Sequence, residues 1–307
     1  MTETITLAHI SDLHLSPVTG FGPRHWNVKR GLGFLNWQRG RRFVHSRAMA
    51  DRLIEDMMQH DPDHVAVTGD LVNIGLPSEY EAARRWLESV GSPDRVTVVP
   101  GNHDIYTRLR GHPGVGRWAP YMSPDRWGAG IRLGGRDGFP FLRRVGPLAI
   151  IALNSAVPTP PLVAAGRLGD EQIKALGQAL EIADAEGLIR VVLIHHPPLG
   201  GQAPRVRGLA DCVATEVMLL MKGADLVLHG HNHRNTIREV ETRRGRMLVA
   251  GIGSGSAGRV HHGEPLARYH LFRLAKAAGK VWIELTARGL THPDDEVREL
   301  ERRVLVA

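Results

Sequence analysis

Five short apolar runs in this 307-residue chain each stop at a cluster of carboxylates, histidines or amides. The clusters are Asp12-Leu13-His14, Gly69-Asp70, Gly101-Asn102-His103-Asp104, His195-His196-Pro197 and Gly230-His231-Asn232-His233. The runs before them, residues 4–10, 64–68, 96–99, 191–194 and 226–228, are rich in Val, Ile and Leu and read as buried strands. Loops leaving the carboxyl ends of strands are where α/β proteins gather their polar groups. One such cluster carries little weight, since a histidine at a strand end is normally a hydrogen-bonded structural residue. Five in succession require a fold that brings several strand ends to one edge.

Between these runs the periodicity is helical. Ser46 caps a helix with Ala50, Leu53, Ile54, Met57 and Met58 on one face. Ser78-Glu79-Tyr80-Glu81 reads as a capping box ahead of Ala83, Trp86, Leu87 and Val90. Residues 170–185 and 213–222 are further helices, and 148–153 is a strand. Beyond residue 228 the pattern turns to strands at 236–241, 247–250, 269–274 and 281–286. Residues 295–306 align Val297, Leu300 and Val304 as a charged amphipathic helix. Strand–helix alternation followed by strands predicts a mixed α/β layered sandwich. Residues 1–290 form one domain, with irregular insertions at about 16–45 and 105–145, and 291–307 form a helical tail.

Composition narrows the function classes. With 42% hydrophobic and 23% charged residues the chain is globular. No apolar run reaches the ~18 residues of a spanning helix. The first ten residues lack the basic and apolar regions of a cleaved signal, so a cytoplasmic location is expected, with attachment to the inner face of a membrane as a variant. The lone Cys212 excludes an internal disulfide framework and a cysteine-built zinc site. The formal charge of +7 is unevenly placed. Between Asp12 and Asp51 there is no acid, but Arg24, Lys29, Arg30, Arg39, Arg41, Arg42 and Arg47 are present. Such clustering implies an anionic partner. Without a separate DNA-binding module, nucleic acid is not expected.

Within the strand-end clusters, four histidines, two aspartates and an asparagine match the inventory of a two-metal centre. Imidazole with carboxylate suits manganese, iron or zinc rather than calcium. Two divalent ions exceed the charge of Asp12 and Asp70, so the centre stays positive and favours an anion such as a phosphate ester. The order of the motifs, running from Asp12 to His233, resembles the calcineurin-like metallophosphoesterases. The layout and the His-His-Pro-Pro segment resemble their bacterial cyclic-nucleotide and glycerophosphodiester phosphodiesterase branch.

That resemblance implies a four-layer αββα sandwich of two mixed β-sheets flanked by helices. It implies that Asp12, His14, Asp70 and His233 hold one ion, and Asp70, Asn102, His195 and His231 the other, with Asp70 bridging. It implies further that a metal-bridging hydroxide attacks the phosphodiester, that His103 protonates the leaving oxygen, and that Asp104 orients His103. The strand-His-x-Pro pattern selects His195 as ligand and leaves His196 behind it or facing substrate. His262, after a Gly-Ser-rich segment, is a second candidate substrate contact. His9 reads as a core residue, and His60 and His64 as surface residues.

Selection among substrates falls to the insertions. The first carries Phe21, Trp26, Phe34, Trp37 and Phe43, the second Arg108, Arg110, Arg117, Trp118, Tyr121, Arg126 and Trp127. Mixed basic and aromatic residues suit base stacking, a membrane interface through residues 21–43, or a cap on the sandwich with a homodimer contact. Residues 28–43 form an amphipathic helix if Gly31, Gly33 and Gly40 permit it. The leading reading is a soluble phosphodiesterase of small or medium substrates. The alternatives are a membrane-peripheral pyrophosphatase of a lipid-linked nucleotide (UDP-diacylglucosamine type) and a non-catalytic scaffold, against which the complete ligand set argues.

Overall fold

The computed structural model describes residues 4–108, 111–277 and 279–306. The strands are β1 (Thr4–Ile10), β2 (His64–Val67), β3 (Val96–Val98), β4 (Phe141–Val145), β5 (Leu148–Ala152), β6 (Ile189–Leu193), β7 (Leu226–His229), β8 (Thr236–Thr242), β9 (Gly245–Gly251), β10 (Arg268–Ala277), β11 (Lys280–Gly289) and β12 (Arg298–Val306). The helices are α1 (Val28–Asn36), α2 (Arg42–Val44), α3 (Arg47–Gln59), α4 (Pro77–Val90), α5 (Arg126–Ala129), α6 (Asp170–Ala185) and α7 (Cys212–Lys222). Two six-stranded sheets form, in the orders β12-β11-β10-β1-β2-β3 and β4-β5-β6-β7-β9-β8. Each is mixed: β1-β2-β3 and β5-β6-β7-β9 are parallel, and the strands flanking them are antiparallel.

Period-two alternation explains the layers. Leu7, Phe272, Leu274 and Ile283 of one sheet meet Ile150, Val191, Leu226 and Leu248 of the other. Their neighbours point outward. Val65, Val67, Val96 and Val98 pack on Leu53 and Met57 of α3 and Trp86 and Leu87 of α4. Ile151, Val192, Val227 and Val249 pack on Leu176 and Leu180 of α6 and Leu219 of α7. The αββα sandwich is the architecture the motifs implied, and its parallel strands end along one edge.

Four local expectations are corrected. The C-terminal segment is the strand β12, not a helix: it pairs antiparallel with β11 from Trp282↔Val306 to Gly289↔Arg298. Otherwise β11 would present a row of unpaired N–H and C=O groups, and satisfying them outweighs the weak helical bias of the segment. The box ahead of α4 is shifted by two residues. Glu79, at the third helical position, accepts from the Leu76 N–H at 2.8 Å, while the Ser78 hydroxyl donates to the Thr19 carbonyl instead. His64 is fully buried, its Nε2 2.7 Å from the Thr97 hydroxyl, although His60 is exposed as expected. The second insertion packs as core: Trp118 is buried with its indole N–H donating to the Tyr80 carbonyl, and the buried Tyr121 donates to the Gly91 carbonyl. Arg110 lies outside the described residues.

The first insertion is ordered. α1, a single π-helical turn over Trp37–Arg41 and α2 follow head to tail. Phe21 and Phe34 stack toward the buried Trp37 on Val18, Ile74, Leu76 and Tyr106, so three of the five aromatics anchor the insertion. Gly33 allows the approach, since a Cβ there would lie 2.3 Å from the Tyr106 hydroxyl. Only Trp26 and Phe43 of the five are exposed.

Candidate metal centre

The loops after β1, β2, β3, β6 and β7 converge, and all seven expected donors meet there. Five of them occupy the left-handed backbone region: Asp12, His14, Asp70, His231 and His233, with φ between 41° and 71°. Such conformations cost about 1–3 kcal/mol each in non-glycine residues and persist where the surroundings over-determine them. The surroundings here are backbone hydrogen bonds and one carboxylate. Asp12 N and His14 N donate to the Gly69 and Asp70 carbonyls, each at 2.9 Å. Asp104 accepts from the N–H groups of Asp70, Leu71, Val72 and Gly101 at 2.8–3.2 Å. Glycine is required between the loops: a Cβ on Gly101 would fall 2.2 Å from Asp70 Oδ1.

The donors divide into two groups about Asp70. On one side His233 Nε2 lies 3.3 Å from both His14 Nε2 and Asp12 Oδ1, and His14 Nε2 lies 3.9 Å from Asp70 Oδ2. On the other, His195 Nε2 lies 3.4 Å from Asp70 Oδ2, 3.2 Å from Asn102 Oδ1 and 3.3 Å from His231 Nδ1. The outer nitrogens are taken by protein acceptors: His14 Nδ1 by the Val72 carbonyl, His195 Nδ1 by the Thr68 carbonyl and His233 Nδ1 by Glu264 Oε2. This aims each Nε2 inward, where it is left for a proton or a metal ion, as outer partners of metal-binding histidines do. Glu264 has no motif around it and was not foreseen.

These residues fit divalent ions. Asp12 Oδ1 and His231 Nε2 are buried with no hydrogen-bond partner, although buried polar atoms are normally satisfied. The two groups also show a demand for positive charge. Against the cost of burial, Asp70 raises the pKa of His195 to about 9 and Asp12 raises that of His233 to about 9.

His103 sits beside the centre. Its backbone N–H donates to Asp70 Oδ1 at 2.7 Å, its Nδ1 meets the Asn73 carbonyl, and Nε2 lies 2.9 Å from Arg41 Nη1. Burial first, then Arg41, lowers its pKa to about 3. The ring partner expected from Asp104 is therefore the Asn73 carbonyl, while Asp104 works beneath, holding backbone. Burial and the Asp70 charge raise Asp104 to about 7. His196 turns away, with Nδ1 2.8 Å from the Ser155 hydroxyl and Nε2 3.1 Å from the Ala164 carbonyl. His262 is exposed on the rim. His45 joins the first group unannounced: it, His14 and His233 offer donor atoms within 4.8 Å of one another.

The centre opens on a cleft of about 330 Å³ that reaches Arg207, His261, His262 and Glu264. A second cleft of about 440 Å³, walled by Leu32, Tyr106, Pro161, Leu162 and Val163, meets it at Arg41, Asn102 and His103.

Two mixed sheets delivering this donor set at their strand ends define a metal-dependent phosphoester hydrolase. Residues 5–235 match the calcineurin-like phosphoesterase family, and the chain belongs to that family. It is 29% identical over 253 residues to a probable cyclic nucleotide phosphodiesterase of a Synechococcus species, covering 81% of this chain and 79% of that protein. It is 37% identical over 98 residues to the glycerophosphodiester phosphodiesterase GpdQ of Enterobacter lignolyticus, a match spanning 32% of this chain and 29% of that protein. Among solved structures, a dimetal phosphatase from Danio rerio aligns with a TM-score of 0.59 at 13% identity over 98% of each chain. A purple acid phosphatase from yellow lupin seeds aligns at 0.56 and 15% identity, over 99% of this chain and 54% of its own length. At these identities the two structures speak to the fold alone.

Proposed function

We propose that the protein hydrolyses phosphodiesters at a centre of two divalent ions, manganese, iron or zinc. Asp12, His14 and His233 would hold one ion, Asn102, His195 and His231 the other, and Asp70 would touch both. Bound there, the ions would supply Lewis-acid stabilisation of phosphoryl charge and lower the pKa of the attacking water. Arg41 takes a non-bridging phosphate oxygen. This releases His103 Nε2; the bound phosphate charge favours the imidazolium, so Nε2 takes a proton from solvent and passes it to the leaving oxygen while Nδ1–H stays on the Asn73 carbonyl. Asp104 keeps the Asp70 and Gly101 loops in register.

The meeting of two clefts at Arg41, Asn102 and His103 carries the diester reading, because a phosphodiester has two organic arms and needs room for both. The similarity to a probable cyclic nucleotide phosphodiesterase points the same way. The test is hydrolysis of bis(p-nitrophenyl) phosphate before chelation, after it, and after adding back manganese. Loss and recovery of activity, with p-nitrophenyl phosphate turned over more slowly, is expected. Turnover of the monoester alone would overturn the diester reading.

The outer side of the first insertion favours a second reading. Trp26, Val28, Leu32, Leu35 and Phe43 are exposed amid arginines, as at a peripheral membrane contact. Among the described residues, no helix is long and apolar enough to cross a membrane. Cosedimentation with anionic vesicles, lost in Trp26→Ser with Phe43→Ser, would support a lipid-linked substrate. Wild-type protein remaining in the supernatant would exclude it.

A further inference from the structure

We infer that His45 is a ligand of the metal ion held by Asp12, His14 and His233, an addition to the donor set of the motifs. The inference rests on the two-ion reading above. His45 ends the first insertion, immediately after α2, and is 4% exposed. Its ring lies 4.7 Å from that of His14 and 5.7 Å from that of His233, centroid to centroid.

The hydrogen bonds around it fix which nitrogen is free. Ser254 Oγ donates to the Asp12 carbonyl at 2.6 Å. With its proton committed, Ser254 Oγ can only accept, and His45 Nδ1 lies 3.3 Å from it and 2.9 Å from Ser256 Oγ, so Nδ1 carries the hydrogen. Nε2 keeps its lone pair and makes no hydrogen bond among the described residues. Each of the three imidazoles offers a ring nitrogen within 4.8 Å of those of the other two, beside the Asp12 carboxylate. Without a cation the three rings crowd their nitrogens together beside one carboxylate. With one it is a ligand set whose outer N–H groups have their partners.

The backbone builds this position deliberately. Ser46 N donates to the Ser256 carbonyl at 2.9 Å and Gly258 N to the Val44 carbonyl at 2.8 Å, fastening the end of the insertion to the Gly-Ser loop after β9. Gly255 in that loop has no room for a side chain: a Cβ would lie 2.5 Å from Ile10. The Gly-Ser segment conspicuous in the sequence therefore serves to aim His45.

The test is titration of chelator-stripped protein with Co²⁺, following visible absorption, together with metal content after gel filtration. Wild type should take up two ions. His45→Ala and the bulkier His45→Gln should keep one ion at wild-type affinity and weaken the other by more than about 100-fold, with an altered absorption band. That exceeds the roughly 10–100-fold expected for losing an outer partner, the range expected for Ser256→Ala. If both His45 variants bind two ions with wild-type affinity and spectrum, or weaken one by less than about 10-fold, His45 is not a ligand. A wild type that takes up a single ion would instead overturn the two-ion reading, and His45 is then judged by whether that ion is weakened.

Discussion

The Arg41 guanidinium lies 2.9 Å from Nε2 of His103, and among the described residues no carboxylate forms an ion pair with it. A half-buried cation set against a neutral imidazole is poorly compensated. It is a group waiting for an anion. Arg41→Ala is expected to raise KM for bis(p-nitrophenyl) phosphate about 10–100-fold, the equivalent of one charged hydrogen bond of about 1.5–3 kcal/mol, with a smaller change in kcat. Arg41→Lys should recover part of it. An unchanged KM in Arg41→Ala would remove the residue from the binding machinery.

His103→Ala should leave metal content close to wild type, because the residue's link to Asp70 is through its backbone N–H. Its effect should depend on the leaving group. Turnover of diesters of alkyl alcohols falls about 10²–10⁴-fold, and that of p-nitrophenyl diesters much less. An equal loss across leaving groups would rule out proton donation by His103.

Asp104→Asn tests the backbone role. One carboxylate now satisfies four N–H groups, and an amide has only one acceptor oxygen. The variant should unfold at lower urea, losing about 2–4 kcal/mol, and should lose activity even when metal-loaded. Unaltered stability with altered leaving-group dependence would return Asp104 to the role of orienting His103.

The buried histidines far from the centre set the acid limit. Burial and the Arg143 charge lower His64 to about 3, and burial and Arg268 lower His270 to about 3. Unfolded, each titrates near 6.5. Between those values the unfolded chain binds more protons than the folded one, so stability present at pH 7 falls as the pH drops below about 6.5. Each histidine should withdraw about 2 kcal/mol between pH 7 and pH 5. His64→Gln, able to keep the Thr97 contact, should lose less stability over that range in urea unfolding. A loss equal to wild type would show that the titration lies elsewhere.

The strand-end clusters were legible because strand ends lie next to strands in sequence, so an apolar run followed by Asp-x-His or Gly-His-x-His already places its polar side chains. Arg41, His45 and Glu264 were not. Their positions depend on a π-helical turn, on a strap between residues 44–46 and 256–258, and on the path of an irregular loop, none of which has a sequence period. β12 misled for another reason: Val297, Leu300 and Val304 fit a helix, but the edge of β11 accepted the segment as a strand. Trp118 and Tyr121 resembled site residues by composition and became core, because aromatic side chains fill gaps beside α4 as well as they stack on ligands.

His14 and His233 touch although 219 positions separate them, and the His231 N–H reaches back the same distance to Asp12. β1 is held on its two sides by β2 and β10, so this strand waits for one made much later. Assembly of this kind is dominated by distant pairings and is slow. On the ribosome, the emerging chain carries Asp12, His14, Asp70 and Asn102 well before the histidine partners from the second sheet are made. On the two-ion reading, metal loading is therefore a late event in the life of the nascent protein, and a chain truncated before Glu264 should fail to retain metal.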